Sequence, residues 1–245
     1  MVLSRTGKRQ SDIQFPWKGG IKTFLFLIFL AATFFFVNKI KEHYDFSIKE
    51  VKVYGVKYLD QQEMQHLLSP LVKKSFFAIQ LEQIKEQLLE MPWVADASVR
   101  RVWPDQVIIT VAEKNAIARW NNNNLLSSTG EIFSPNMNTY PADLPQFVGP
   151  DGEQIHMLEY YEKINTLLKP LRLKMTRLEL TPDLSWNMIF DGGMKVNLGY
   201  KDILTRVHHF VKVYPKIVGE RGSIDVEYVD LRYSNGLAVR WKTVL

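Results

Sequence analysis

The chain contains no cysteine among its 245 residues, and this absence excludes several classes of protein at once. A disulfide framework, a thiolate zinc site, an iron–sulfur cluster and a cysteine nucleophile all require the missing side chain. The fold must therefore be stabilised by burying apolar side chains. About 200 residues are enough for one or two such apolar cores.

Catalytic and phosphate-binding motifs are missing as well. The sequence contains no HExxH, Ser-x-x-Lys, Gly-x-Ser-x-Gly, Walker A or GxGxxG motif. The five histidines are scattered, and the adjacent His208 and His209 would diverge on a helix. The sequence therefore predicts no catalytic residue, no metal and no cofactor. It disfavours a membrane-anchored cell-wall hydrolase or transpeptidase.

One long hydrophobic run is present near the amino terminus. Residues 23–37 carry no charged side chain, and eleven of these fifteen residues are Phe, Leu, Ile or Val. Extension to residues 21–40 gives about twenty residues, enough for a ~30 Å hydrocarbon core, with Lys22 and Lys39 near the ends. The run therefore predicts a transmembrane helix. A cleaved signal peptide is the alternative, but bulky Phe34, Phe35 and Phe36 stand where a peptidase needs small residues.

The charge distribution predicts an orientation for this helix. The first 22 residues contain five Lys or Arg and a single acidic residue, Asp12. By the positive-inside rule, the amino terminus is cytoplasmic and the remaining residues lie outside. Removing these charges from the totals of 31 basic and 26 acidic side chains leaves 26 and 25 for residues 23–245. The exported part is almost neutral, so its charge does not indicate a nucleic-acid partner.

The first exported segment has the pattern of a compact α+β unit. Alternating Val51 and Val53 predict a strand over residues 48–54, and Gly55 ends it. Apolar spacing predicts a helix from Asp60 that is interrupted at Pro70, and a second helix over residues 79–90. Two strands joined by a Pro104-Asp105 turn follow, and in the first of them Ala97, Val99 and Trp103 share a face. The predicted order is β-α-α-β-β.

The second exported segment alternates short strands with two helices. Turn residues predict a loop over residues 141–152, and apolar spacing predicts helices over residues 154–169 and 201–214, each ended by a proline. A larger mixed sheet with helices on one face is the expected architecture. The candidate strands are residues 116–120, 125–127, 131–133, 178–181, 186–190 and 195–198.

The carboxyl-terminal residues predict a hairpin. Residues 225–234 are rich in β-forming side chains, Asn235-Gly236 favours a type I′ turn, and residues 237–242 form the second strand. If that strand lies at the sheet edge, it is a template for a strand of another protein. A central position, beside residues 195–198 or another neighbour, is the alternative.

An ordered set of motifs resembles the FtsQ/DivIB family of cell-division proteins and extends over almost all of the exported region. Single motifs are weak, but their order is specific. The motifs are residues 91–94 (MPWV), 97–105 (ASVRRVWPD), Glu113, 118–120 (ARW), 126–133, Leu144-Pro145, Gly149-Pro150, Ser185-Trp186, Leu198-Gly199, Arg206 with Phe210, and 228–233 (YVDLRY) with Gly236, Val239 and Trp241.

This resemblance implies a non-enzymatic, single-pass protein of the bacterial inner membrane, located at the division septum. Its parts would be a cytoplasmic tail (1–22), a transmembrane helix with a short linker (23–43), a POTRA (polypeptide-transport-associated) domain (46–114) and a β domain (115–245). It would link early and late division proteins, without nucleic acid or a small-molecule substrate. The β domain would bind FtsB and FtsL, and the POTRA domain and transmembrane helix would contact other divisome proteins and lipid.

The resemblance also implies a binding surface at the last strand, which would accept a strand of FtsB by edge addition. A POTRA-type chaperone for the assembly or secretion of outer-membrane proteins is the alternative function, but it accounts less well for the single anchor and the large second domain. The expected partner-binding residues are Tyr228, Arg232, Tyr233, Ser234, Asn235, Gly236, Leu237, Ala238, Val239 and Trp241.

Overall fold

A computed structural model describes residues 17–43, 47–72, 75–219, 226–233 and 236–242. The chain divides into two compact units, Met1–Ser47 and Ile48–Leu245. The described part of the first unit contains one long helix. Two β-sheets with their helices make up the second unit.

The long helix, α1, comprises Trp17–His43 and contains the uncharged run. Its described phenylalanine and leucine side chains between residues 24 and 36 are exposed. Among the residues that the structure describes, no helix combines the length and the apolar character needed to cross a bilayer.

The first sheet has three strands and the predicted β-α-α-β-β order. β1 pairs in parallel with β3, which pairs in antiparallel with β2, so the sheet order is β1-β3-β2. Asp60 caps the first of the two helices that follow β1, because its side chain accepts a hydrogen bond from the amide of Gln62 at 2.8 Å. The elements are β1 (Glu50–Tyr54), α2 (Gln61–Val72), α3 (Leu81–Leu89), β2 (Val94–Val102) and β3 (Gln106–Glu113).

Two predictions for this sheet are wrong. Helix α2 continues through Pro70 to Val72, because a proline one turn from the end disturbs few of the helix hydrogen bonds. Trp103 is not buried with Ala97 but is 75% exposed, because β2 ends at Val102 and Trp103 already belongs to the turn. The alternation of a strand does not extend into the turn that follows it.

The second sheet has nine strands in the order β12-β11-β10-β9-β8-β7-β4-β5-β6. Helices α4 and α5 contact each other and pack on β8 and β10. Each helix connects two parallel strands, α4 between β7 and β8 and α5 between β10 and β11. The elements are β4 (Ala116–Trp120), β5 (Asn124–Ser127), β6 (Ile132–Phe133), β7 (Gln146–Val148), α4 (Gln154–Leu168), β8 (Met175–Leu180), β9 (Trp186–Phe190), β10 (Lys195–Gly199), α5 (Ile203–Val218), β11 (Val226–Asp230) and β12 (Ala238–Trp241).

Alternating apolar side chains of the central strands and the inner faces of both helices form the core of this sheet. Met188, Val196 and Val229 from the strands are buried with Ile164 and Phe210 from the helices. The structure thus has the α+β architecture that the sequence predicts, with helices packed on a larger second sheet.

Three predictions for this sheet are wrong. Residues 141–152 are not a loop throughout, since Gln146–Val148 form β7 in the middle of the sheet. The second helix does not end at Pro215 but continues to Val218. The register does not fit a two-residue turn at Asn235-Gly236, because that turn would place Tyr233 opposite Ala238, where the structure has Asp230.

The two sheets meet at Trp93, which is 3% exposed. Its ring stacks on Tyr58 at a centroid distance of 5.0 Å and contacts the edge of Phe133 at 5.2 Å. Its Nε1 donates a hydrogen bond to Oγ1 of Thr139 at 2.7 Å. Beside this contact, the Glu113 carboxylate accepts the amides of residues 57–59 at 2.8–3.0 Å. The contacts of Trp93 with Phe133 and Thr139 connect elements of both sheets within one compact unit.

We expect Trp93→Ala to lower the free energy of unfolding by about 3–5 kcal/mol, because it creates a cavity at the junction. Trp103→Ala is the matched control, and we expect it to change stability by less than about 0.5 kcal/mol, since the side chain is exposed. Urea unfolding followed by circular dichroism measures both. Equal losses in the two variants would contradict the assigned burial.

Candidate functional site

The candidate site is β12, which lies at one end of the nine-stranded sheet. Its partner is β11, with Asp230 opposite Ala238, Val229 opposite Val239 and Tyr228 opposite Arg240. The alternative that the last strand is central is therefore wrong. On its other side, no strand of the described part of the chain is paired with β12.

The hydrogen bonds of β11 determine which backbone groups of β12 face outward. The amide of Leu231 donates to the carbonyl of Asn197 at 2.9 Å, so odd-numbered residues of β11 direct their backbone groups toward β10. Even-numbered residues of β11 then face β12 and exchange hydrogen bonds with Ala238 and Arg240. Because successive residues alternate, Val239 directs its N–H and C=O away from β11.

The side chains of this strand alternate between the core and solvent. Leu237, Val239 and Trp241 are partly buried against the core. Ala238 and Arg240 are exposed on the other face. A Cβ added to Gly236 would meet no atom within 4 Å, so the backbone there is open to an approaching chain. The strand therefore presents a small side chain and an accessible backbone.

Aromatic and charged side chains lie beside the strand. The guanidinium carbon of Arg240 lies 5.4 Å from the ring centroid of Tyr228, and Nε of Arg240 lies 3.4 Å from Oε2 of Glu227. Tyr233 follows β11 and is 60% exposed. The structure thus brings Tyr228 next to β12 and leaves Tyr233 accessible in the connecting segment. Ser234 and Asn235 lie outside the described residues.

An ion pair fixes the end of β11. Asp230 is 5% exposed, and its carboxylate accepts hydrogen bonds from Nε of Arg232 at 3.0 and 3.1 Å and from Nη2 at 2.7 Å. The amide of Arg232 donates to the same carboxylate at 3.0 Å. These hydrogen bonds lower the pKa of Asp230 and raise that of Arg232. Arg232 is thus held by its neighbour while part of its side chain stays exposed.

Arg206 of α5 links this ion pair to β10. It donates from Nη1 to the carbonyl of Leu198 and from Nη2 to the carbonyl of Arg232 at 3.4 Å. Gly199 leaves room for the guanidinium, because an added Cβ would lie 2.6 Å from Nη1. Gly199 also has a φ of +67°, which favours glycine. The helix and two strands are therefore joined at the point where the chain leaves β11.

The structure adds Asp230 and Arg206 to the candidate site, and neither was among the predicted partner-binding residues. The Asp-x-Arg spacing of residues 230–232 was a usable signal, since side chains two residues apart lie on the same side of an extended chain. Arg206 with Phe210 belongs to the family motifs, but no local pattern predicts its role here, because its partners are the backbone carbonyls of Leu198 and Arg232, eight and 26 residues away.

We expect Asp230→Asn to lower the free energy of unfolding by about 1–3 kcal/mol at pH 7, because it removes a buried charge that Arg232 pairs. The folded pKa of Asp230 is lowered, so its stabilisation is present above the unfolded value of ~3.9 and is lost as pH falls through the folded value. The difference between variant and wild type should therefore narrow below about pH 4.

Asp143→Asn is the control for this measurement, because Asp143 forms an exposed ion pair with Lys174 and its side chain is 92% exposed. We expect a change of less than about 1 kcal/mol for it at every pH. A difference for Asp230→Asn that stays constant from pH 7 down to about pH 3 would contradict the pairing.

Comparison with known proteins gives two matching family models. The model described as "Cell division protein FtsQ/DivIB, C-terminal" matches residues 118–232, which include β11 and Arg232. The model described as "POTRA domain, FtsQ-type" matches residues 46–114, which include the three-stranded sheet.

Several relatives named cell division protein FtsQ are similar over most of the chain. The protein of Coxiella burnetii is 39% identical over 185 residues, which cover 76% of each chain. That of Burkholderia pseudomallei is 32% identical over 207 residues, or 80% of each chain. That of Acinetobacter oleivorans is 36% identical over 185 residues, or 74% of this chain and 63% of the relative. The chain belongs to the FtsQ/DivIB family of cell-division proteins.

Proposed function

We propose that this chain is a non-enzymatic scaffold of the bacterial cell-division machinery that binds FtsB and FtsL through its β-rich domain. It links early and late divisome proteins. The observation that carries the proposal is the edge position of β12, in which Val239 directs its backbone groups away from β11. The names of the relatives support a role in cell division rather than in outer-membrane assembly.

The proposed organisation has four parts: a cytoplasmic tail (1–22), an anchor helix with its linker (23–43), a POTRA domain (46–114) and a β domain (115–245). The uncharged run of residues 23–37 and the basic residues before it support a single-pass anchor with a cytoplasmic amino terminus, at the septum of the inner membrane. The support for this anchor comes from the sequence alone. Among the described residues, no helix has the length and apolar character of a membrane span.

Strand addition supplies affinity through backbone hydrogen bonds and specificity through alternate side chains. An incoming strand would pair with the outward groups of Val239 and lie beside the exposed Ala238 and Arg240. An edge with a small residue admits a second backbone more readily than an edge of bulky side chains does. Tyr228, Arg232 and Tyr233 lie close enough in sequence to contact the same partner.

The proposed contact surface is therefore the last strand and the segment before it, and Tyr233 is its most exposed aromatic residue. Aromatic residues dominate binding energy at interfaces, with contributions of about 2 kcal/mol or more. Trp241 packs against the core, so its truncation would lower stability as well as binding. The surface comprises Tyr228, Arg232, Tyr233, Ser234, Asn235, Gly236, Leu237, Ala238, Val239 and Trp241.

Val239→Pro tests strand addition directly. Proline removes the outward N–H but no hydrogen bond to β11, so we expect the affinity for the periplasmic segment of FtsB to fall about tenfold or more. Val239→Ala is the matched control, since it loses more apolar contact but keeps the N–H, and we expect it to bind within about threefold of wild type. Calorimetric titration of the full chain in detergent measures both. Binding by the proline variant at wild-type strength would exclude strand addition at this residue.

Tyr233→Ala tests the side-chain contribution. We expect the affinity for the same FtsB segment to fall about tenfold, or ~1.4 kcal/mol, with little change in thermal stability, because the ring is exposed in the free protein. Tyr54→Ala is the control, since Tyr54 is 53% exposed on the other sheet. A folded Tyr233→Ala protein that binds at full strength would remove Tyr233 from the surface.

A further inference from the structure

The three-stranded sheet has an edge that plays no part in the surface around β12. β1 lies at one end of the order β1-β3-β2, and no strand of the described part of the chain pairs with its other side. Edge strands are usually protected by bulges, prolines or charged side chains. β1 contains no proline and pairs with β3 over five residues without a bulge. The charge of its one lysine, Lys52, is offset by Glu50, whose Oε2 lies 3.3 Å from Nζ.

The pairing of β3 determines which backbone groups of β1 face outward. The amide of Lys114 donates to the carbonyl of Trp93 at 2.8 Å, so even-numbered residues of β3 direct their backbone groups toward β2. Odd-numbered residues of β3 then face β1. The carbonyl of Asp105 has this direction, since it accepts the amides of Lys49 and Glu50 at 2.9 and 3.5 Å.

The backbone groups of Val51 and Val53 point away from the sheet. Val51 lies opposite Val107, which as an odd-numbered residue of β3 bonds to β1. In a parallel pair such a residue bonds to the two neighbours of the residue opposite, here Glu50 and Lys52. Because successive residues of a strand alternate, Val51 and Val53 each keep an N–H and a C=O for a further strand.

An apolar groove lies beside this edge. Val51 and Val53 are opposite buried residues of β3, so their side chains point to the same face of the sheet, where they are half-buried. A cavity of about 730 Å³ is lined by these valines and by Met64, Gln65 and Leu68 of α2. Cavities of this size hold several apolar groups of a ligand. The open backbone and the groove therefore lie side by side.

We propose that β1 accepts an extended segment of a partner protein as a fourth strand of this sheet. The outward groups of Val51 and Val53 would pair with the backbone of that segment, and every second side chain of it would be apolar and enter the groove. These backbone groups select the occupant, because only another strand presents N–H and C=O groups at the same spacing. A second copy of β1 would bring only two small valines to the groove. The site is separate from β12 and does not depend on the contact with FtsB.

Selection from a peptide library tests this site. Phage that display random nine-residue peptides are selected on the full chain in nanodiscs, and the affinities of enriched peptides are measured by fluorescence anisotropy. We expect a class of peptides with apolar residues at every second position. They should bind Val53→Pro at least about tenfold more weakly than wild type, because proline removes an outward N–H but no hydrogen bond to β3. Val53→Ala keeps the N–H and is the matched control, with binding expected within about threefold of wild type.

A substitution on α2 keeps the test decisive if the proline variant does not fold. Gln65→Trp places a large ring over the groove and leaves the backbone of β1 unchanged, so we expect the same peptides to bind at least about tenfold more weakly. Gln62→Trp is its control, because Gln62 is exposed on α2 but does not line the groove. Circular dichroism of each variant shows whether the sheet is folded.

Hydrogen exchange of the complex gives a readout of the pairing itself. A bound peptide should slow the exchange of the Val51 and Val53 amides at least about tenfold and change that of Lys52 much less, since Lys52 already bonds to β3. Slower exchange confined to α2 would overturn strand addition in favour of a contact with the helix.

The remaining outcomes separate this site from β12. If no enriched peptide is weakened by Val53→Pro or Gln65→Trp, the proposal is overturned. Peptides weakened only by Val239→Pro would bind at β12, so the surface proposed for FtsB would stand while the site at β1 fails. If sedimentation shows a dimer of the chain that Val53→Pro abolishes, the occupant is a second copy, and the proposal of a partner segment is overturned.

Discussion

The parallel pairing of β10 with β11 is the constraint on which the carboxyl-terminal site depends. The hydrogen bond from Leu231 to Asn197 assigns the odd-numbered residues of β11 to β10 and leaves the even-numbered residues for β12. The direction of every backbone group in β12 follows from that assignment. A shift of one residue in this register would turn the outward groups of Val239 inward and would also move its side chain out of the core.

The end of β11 is fixed by charge and geometry together. The Asp230 carboxylate holds Arg232, Arg206 bonds the carbonyl of Arg232, and Gly199 provides the room for that guanidinium. Removal of Arg232 would leave the buried carboxylate of Asp230 without its main partner, which costs more than the net value of a single hydrogen bond. This arrangement fixes the position of Arg232, and the exposed Tyr233 follows it directly.

Much of this fold follows from local patterns in the sequence. Alternation and turn residues locate β4 and β9 with correct bounds, and apolar spacing locates α3, α4 and α5 to within a few residues. β7 is missed because its three residues lie between Pro145 and Pro150 and are too few to show alternation. The parallel neighbours that make β7 a central strand come from distant parts of the chain.

Dependence on distant parts of the chain also explains the other differences between the predicted and the observed elements. Pro215 lies inside α5 because the helix packs on β10, and tertiary packing outweighs the local preference for a break. The Asn235-Gly236 pair favours a tight turn, but the strands pair in another register, with Asp230 opposite Ala238, and Leu231 and Arg232 are held by bonds to Asn197 and Asp230. The edge strand itself was predictable as a strand, whereas its place at the end of the sheet depends on the order of nine strands.

The opposite margin of the large sheet has a different character, since β6 consists of only Ile132 and Phe133. So short a strand offers too few backbone groups to recruit a foreign chain. Two long open margins would let identical molecules join head to tail without end, as heterologous contacts that do not close into rings do. Because β6 is this short, the described part of the sheet has a single margin, β12, to which a strand could add, and identical molecules would not join through the sheet head to tail.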